Sequence, residues 1–182
     1  MEDLSLHILD IVENAISAKA KKIEISVIED PKQDWLTIEI QDDGMGMDEE
    51  VRQKAVDPFF TTRSSRRVGL GLSLMAQAAQ EAGGLFRIES KLGKGTKVTA
   101  TFQYHHIDRK PLGSVVETMM TLLLGNPELE IFYTHTKEGK SYVLGSSWLK
   151  NQFKDRPLID PEVIQWVRTH LKEGLKKIGA QG

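Results

Sequence analysis

The chain has 182 residues, 40% of them hydrophobic and 27% charged, which suits a soluble globular domain with room for a substantial appendage. A net charge of −2 gives no reason to invoke nucleic acid or an anionic membrane as partner, and the absence of cysteine excludes disulfides, thiolate metal sites and a cysteine nucleophile. The start, "MEDLSLHILD", lacks the basic flank and apolar core of a signal peptide, and no apolar run approaches the roughly 18–20 residues needed to cross a bilayer. A cytoplasmic protein is the expectation.

In chain order, Leu4, Ile8, Ile11, Val12, Ala15 and Ile16 recur at spacings of three and four and predict an amphipathic helix over residues 3–20. Asp10 and Asn14 lie one turn apart on it, along one line with Asp3 and His7. The strands "KIEISVIE" and "WLTIEIQ" follow, joined by the turn "DPKQD". After the loop "DDGMGM", Asp48 is placed as N-cap of a short helix that Asp57 and Pro58 stop. Past "FFTTRSSRRVG", a helix is expected over residues 70–82, ended by Gly83 and Gly84. Strands "LFRIES" and "TKVTATFQY" close this part through the turn "KLGKG".

From about residue 105 the pattern changes. "IDRKPLG" reads as a connector, "SVVETMMTLLLG" as a short apolar helix and "LEIFYTHTKEGKSYVLGSS" as a hairpin turning at residues 137–140. The final helix begins with Asp160 as N-cap and Pro161 at its first position. The expected division is residues 1–104 and a C-terminal α+β extension, 105–182, packing "TMMTLLL" either on the core or on a partner. No catalytic constellation is visible in the extension.

Three glycine clusters carry the chemistry. In "DDGMGM" the glycines let backbone approach a ligand beside Asp42, whose carboxylate can accept a hydrogen bond from an exocyclic amine. "RRVGLGLSL" sets Gly69 and Gly71 at a helix start, where free N–H groups and the dipole favour phosphate. "GKGT" reads by itself as a hairpin turn. Neither a Walker loop nor a dinucleotide fingerprint fits, since the required Lys and the third glycine are missing.

Taken in order, "DIVENAISAKAKKIEI", "DDGMGM", "DPFFTTR", "VGLGLSL" and "AGGLFRIESKLGKGTKVTATF" resemble the ATP-binding domain of the GHKL superfamily, over roughly residues 4–103. This superfamily comprises histidine kinases, type II topoisomerase ATPases, a heat-shock chaperone and mismatch-repair ATPases. The later motifs are closest to the histidine-kinase branch, and "ENAISAKAKKIEIS" is closer to the mismatch-repair branch. The fold implied is α+β, a two-layer sandwich of a mixed, mostly antiparallel sheet with helices on one face (Bergerat-type), plus the small C-terminal extension.

The resemblance also implies cofactors and site residues. ATP and Mg2+ are the expected cofactors, with Asn14 holding the metal that bridges the phosphates; magnesium takes oxygen ligands and keeps several waters, so one amide oxygen plus phosphates suffices. One turn earlier the family often carries a glutamate general base, where this chain has the shorter Asp10. Asp42 matches the carboxylate that recognises the adenine amine, and Gly44 and Gly46 match glycines that leave room beside the base. Phe59 and Phe60 match an aromatic pair before the lid, with Thr61 and Thr62 following among the nucleotide-binding candidates. Arg63 stands where lysine is common and can meet a phosphate or steady the lid. Gly69, Leu70, Gly71 and Leu72 form the phosphate-binding helix start, and Thr96 supports the adenine-binding aspartate.

A sensor histidine kinase needs a dimerisation module with a phospho-accepting histidine ahead of this domain, and only nine residues precede Asp10. None of His7, His105, His106, His135 and His170 is followed directly by the acidic residue usual at a phospho-acceptor. The expectation is a stand-alone subunit that passes the γ-phosphate to a separate protein of unknown identity or hydrolyses ATP slowly. The alternative is a nucleotide-dependent switch without turnover, motivated by Asp10.

Overall fold

The computed structural model describes residues 3–57 and 71–180. Helix α1 (Leu4–Ser17) is capped by Asp3, whose carboxylate accepts from Leu6 N, and buries Leu4, Ile8, Ile11, Val12 and Ala15 as its periodicity requires. Strands β1 (Lys22–Asp30) and β2 (Trp35–Asp42) form the expected antiparallel hairpin. Helix α2 (Glu49–Lys54) starts at the Asp48 cap but ends before Asp57, and Pro58 lies outside the described residues. Helix α3 (Gly71–Glu81) is followed by the hairpin of β3 (Phe86–Lys91) and β4 (Gly95–Gln103).

In the C-terminal segment come α4 (Val115–Gly125), β5 (Glu130–Lys137), β6 (Lys140–Gly145), α5 (Ser146–Gln152) and α6 (Pro161–Ile178). Ser146 and Ser147, read from sequence as the end of a hairpin strand, form the first turn of α5. This helix has no side-chain cap at Gly145, so nothing local announces it.

The six strands make one sheet in the order β3-β4-β2-β1-β5-β6. All neighbours are antiparallel except β1 and β5, which run parallel with Ile23 opposite Ile131 and Ile25 opposite Tyr133. The extension therefore continues the sheet of the first part. Alternation along the strands buries one row, including Ile23, Ile25, Val27, Ile38 and Ile40, under α1, α3, α4 and α6, and leaves the other row toward solvent. "TMMTLLL" packs on this core, with Met119, Met120, Leu122 and Leu123 buried in contact with the rest of it.

Two polar devices join the segments. Leu4 N and Ser5 N, orphan donors of the first helical turn, donate to Pro111 O (2.9 Å) and Leu112 O (2.8 Å), so the connector caps α1 from more than a hundred residues away. Within the sheet, the buried Glu29 carboxylate of β1 accepts from Tyr104 Oη (2.8 Å) and Lys137 Nζ (3.2 Å) and meets His135 Nε2 at 2.8 Å. With Glu29 ionised and the imidazole neutral, Nε2 is the donor and His135 Nδ1 accepts from Tyr133 Oη at 2.6 Å. Burial holds the Tyr133 hydroxyl protonated well past its usual range, as that donor role needs.

A chain ended at Tyr104 loses both the partner of β1 and the carbonyl caps of α1. It is expected to aggregate or lose its heat-capacity peak, while the full chain melts in one transition by scanning calorimetry; an unchanged melt of the shortened chain would contradict this.

Candidate functional site

The sequence before β1 ends α1 at Ala18, whose carbonyl accepts from Met45 N at 2.9 Å. That bond draws the glycine loop after β2 against the end of α1. Met45 O then accepts from Gly93 N (2.8 Å), and Met47 N donates to Ser90 Oγ (2.8 Å), so the loop is fastened to the β3–β4 hairpin as well. Gly46 has φ +65°, and a Cβ there would stand 2.1 Å from Lys91 O. The missing side chains of Gly44 and Gly46 thus make room for protein backbone, that of Ala18 and Lys91, and so bring the loop close to both elements.

A cavity of about 470 Å³ opens between α1, this loop, α2, the start of α3 and the hairpin. Ile11, Ala15, Met47, Val51, Leu72 and Val98 line it, and Asn14, Asp42 and Thr96 supply polar atoms. The size and the mostly apolar wall with a few polar groups suit a small-molecule site. Asp42 is held by the sheet: it pairs with Thr96 in register across β2–β4, and Thr96 pairs with Ser90 across β3–β4. Its carboxylate accepts from Gly44 N (2.8 Å), and the Thr96 backbone N–H lies near enough to favour its ionised form. Burial pushes its carboxyl above the ordinary value, against those two donors. Ser90 Oγ and Thr96 Oγ1 lie 2.8 Å apart and orient the threonine hydroxyl.

The neighbouring Asp43 has a different task. Its Oδ1 accepts from Lys21 N (2.7 Å) and Lys22 N (2.8 Å), which lowers its carboxyl below the usual range and closes the start of β1. Asp10 and Asn14 are half-buried on α1, and Asn14 lines the cavity. Asp10 faces the first residue of α3: a Cβ on Gly71 would stand 2.7 Å from Asp10 Cβ, so glycine lets the helix start meet the carboxylate-bearing turn.

Asn14, Asp42, Gly46, Leu72 and Thr96 therefore gather around one cavity, with Gly44 and Gly71 packed behind it. Phe59, Phe60, Thr61, Thr62, Arg63, Gly69 and Leu70 lie outside the described residues. Sequence reasoning missed Met47, Val51 and Ser90. Met47 and Val51 carry an ordinary core signal, and Ser90 could be found only through its register with Thr96.

A family model described as histidine kinase-, DNA gyrase B-, and HSP90-like ATPase matches residues 2–106. The chain belongs to this family and carries a histidine-kinase-like ATPase domain. Among curated relatives, a putative sensor protein of Shewanella frigidimarina is 35% identical over 97 residues, 52% of this chain and 15% of that protein. The sporulation kinase E of Bacillus subtilis is 36% identical over 89 residues, 48% of this chain and 12% of that protein. The chain spans less than a fifth of the length of these relatives. Among solved structures, the Aquifex aeolicus MutL ATPase domain complexed with ADP superposes with a TM-score of 0.53 at 22% identity, covering 85% of this chain and 68% of that one. The N-terminal domain of a DNA repair protein gives 0.55 at 16% identity, covering 79% and 52%. Both bear out the α+β fold with its mixed sheet and helices. Among the described residues no helix is long and apolar enough to cross a membrane.

Gly46→Ala is expected to cost about 1–3 kcal/mol, because it combines left-handed backbone with a backbone clash. Gly93→Ala, also at positive φ but with open space at its Cβ, should cost less. Urea midpoints of the two variants check the order, and equal midpoints would remove the clash from the account.

Proposed function

We propose that this protein binds Mg2+-ATP in the α1–α3 cavity and gives up the γ-phosphate, to a partner protein or slowly to water. The observation that carries the reading is the Asp42 carboxylate, half-buried in a mostly apolar cavity and fixed by Gly44 N, with Asn14 on the facing helix. A carboxylate so held offers its remaining lone pairs to a planar amine, which is what adenine presents. Ile11, Met47 and Val98 supply apolar surface for a base ring.

The donor set fits a phosphate-bridging magnesium: the described residues hold no cluster of three or more His, Asp or Glu able to cage a metal, and Asn14 offers one amide oxygen. Bound there, the ion would neutralise charge on the phosphates. Asp10 does not line the cavity but packs against the start of α3, one turn from Asn14, and from there would orient a water or an acceptor hydroxyl. Residues 1–104 then form the nucleotide unit and 105–182 the part available to a partner. The second reading, a switch without turnover, is favoured by Asp10 itself, which is one methylene shorter than the glutamate usual at this position.

Asp10→Asn is expected to keep ATP affinity and abolish phosphate release, and Asn14→Ala to remove the magnesium dependence of binding. Asp42→Asn should weaken ATP by about tenfold or more, the worth of a hydrogen bond to a charged group. Titration calorimetry with and without magnesium and a phosphate-release assay check all three. Unchanged turnover in Asp10→Asn would remove that residue from the mechanism.

The pH dependence follows from the raised Asp42 carboxyl. An amine bonded to it favours the ionised form, so binding expels a proton and affinity falls on acidification at a higher pH than exposed aspartates titrate. In the nucleotide-free protein the sign is opposite: the folded state takes up that proton more readily, so this group adds stability as pH drops through its folded value. Opposite trends of ATP affinity and of nucleotide-free stability over that window are expected, and parallel trends would count against Asp42 as the base-recognising group.

A further inference from the structure

Strand β6 ends the sheet, and among the described residues no strand pairs with its outer side. Natural edge strands are guarded by prolines, bulges or charges along their length. Here the sequence is "KSYVLG", with one charge at its first residue and none beyond. Its outward side chain Val143 is 49% exposed, beside Phe132 at 43% and Trp148 at 46%. These three, with Glu130, Gly145, Ser147 and His170, line a groove of about 490 Å³ next to the edge.

One wall of the groove is built rather than incidental. His170 stacks on Trp166 with centroids 4.8 Å apart and planes 9° from parallel, and Trp148 meets both rings, 5.6 Å from His170 and 6.1 Å from Trp166, closing a three-ring cluster. Burial and the nearby Lys177 hold the His170 imidazole below its usual range, which favours an uncharged cluster. Around it the balance of charge is positive. Arg156 is held by Asp160 and Glu162, and Arg168 by Glu117. That leaves Lys150, Lys154, Lys172, Lys176 and Lys177 on or beside α5 and α6 with no ion pair to another described residue, against Asp155, Glu173 and, at the groove, Glu130.

We infer that β6 and the Phe132–Val143–Trp148 groove form a docking site for an extended, acidic segment of a partner protein, which adds as a seventh strand. Its backbone bonds to the open edge, an apolar or aromatic side chain fills the groove, and its carboxylates meet the lysines. A second copy of this chain fits less well, since joining two β6 edges sets two lysine-rich α5–α6 units side by side. Nucleic acid would meet the lysines but has no regular row of alternating N–H and C=O groups to pair with an open strand edge. The inference stands on the edge and the groove, and it needs the nucleotide reading only for what docking would serve.

The test is selection of a displayed library of random heptapeptides on the full chain, followed by synthesis of an enriched peptide and titration calorimetry. Enriched sequences are expected to carry Asp or Glu with apolar or aromatic residues at alternate positions. Val143→Lys and Trp148→Ala should each weaken the peptide at least tenfold while leaving ATP retention and the circular dichroism spectrum as in the parent. Failure to enrich, enrichment of neutral or basic peptides, or unchanged affinity in both variants overturns the proposal. So does a dimer in sedimentation equilibrium that Val143→Lys dissolves, or tighter binding of an oligothymidylate probe at the same site. Peptide binding by a protein that retains no ATP would sink the nucleotide reading and leave this one standing.

Discussion

The structure depends on how β1 is satisfied. A strand in mid-sheet has two open edges, and here one is filled by its neighbour in sequence, β2, across a short turn, and the other by β5, brought back in parallel after more than a hundred residues. The parallel pairing sets Ile23, Ile25 and Val27 of β1 beside Ile131, Tyr133 and His135 on the helix-covered face. Glu29 and His135 extend the same seam as a buried acid and base that satisfy each other. Separating such a pair strands a charge in the core, which is far more costly than never having buried it.

The connector puts this dependence at the service of the site. The helix that carries Asp10 and Asn14 has its first N–H groups closed by Pro111 and Leu112, so its seating is fixed by the segment that leads into the C-terminal strands. At its other end Ala18 O holds the glycine loop, and through Met45 and Met47 that loop holds the β3–β4 hairpin. The cavity is thus bounded by elements tied to one another through backbone groups, with one half-buried carboxylate whose position is set by strand register. Preorganisation of this kind is what lets a single hydrogen-bonding group discriminate between ligands.

Much of this was legible in the sequence, and for identifiable reasons. The spacing of Leu4, Ile8, Ile11 and Ala15 gave α1 because a helix has one buried stripe, and the alternation in "KIEISVIE" marked β1 because a half-buried strand repeats every second residue. The glycine motifs were legible as an ordered set. What could not be read was long-range. Nothing local in "EIFYTHTK" says that it lies parallel to β1, and nothing in "IDRKPLG" says that two of its carbonyls cap a distant helix. The glycines of "DDGMGM" looked like space for a ligand, yet the atoms that need the space are Ala18 O and Lys91 O. Ser90 had the look of any strand serine until its register beside Thr96 gave it a partner.

The most direct measurement of the central claim is incubation of the full chain with magnesium and γ-labelled ATP, reading retained nucleotide, free phosphate and protein-bound label from one tube. The account predicts nucleotide retained only with magnesium and slow phosphate release from the isolated protein. No retention of nucleotide at any magnesium concentration would contradict it.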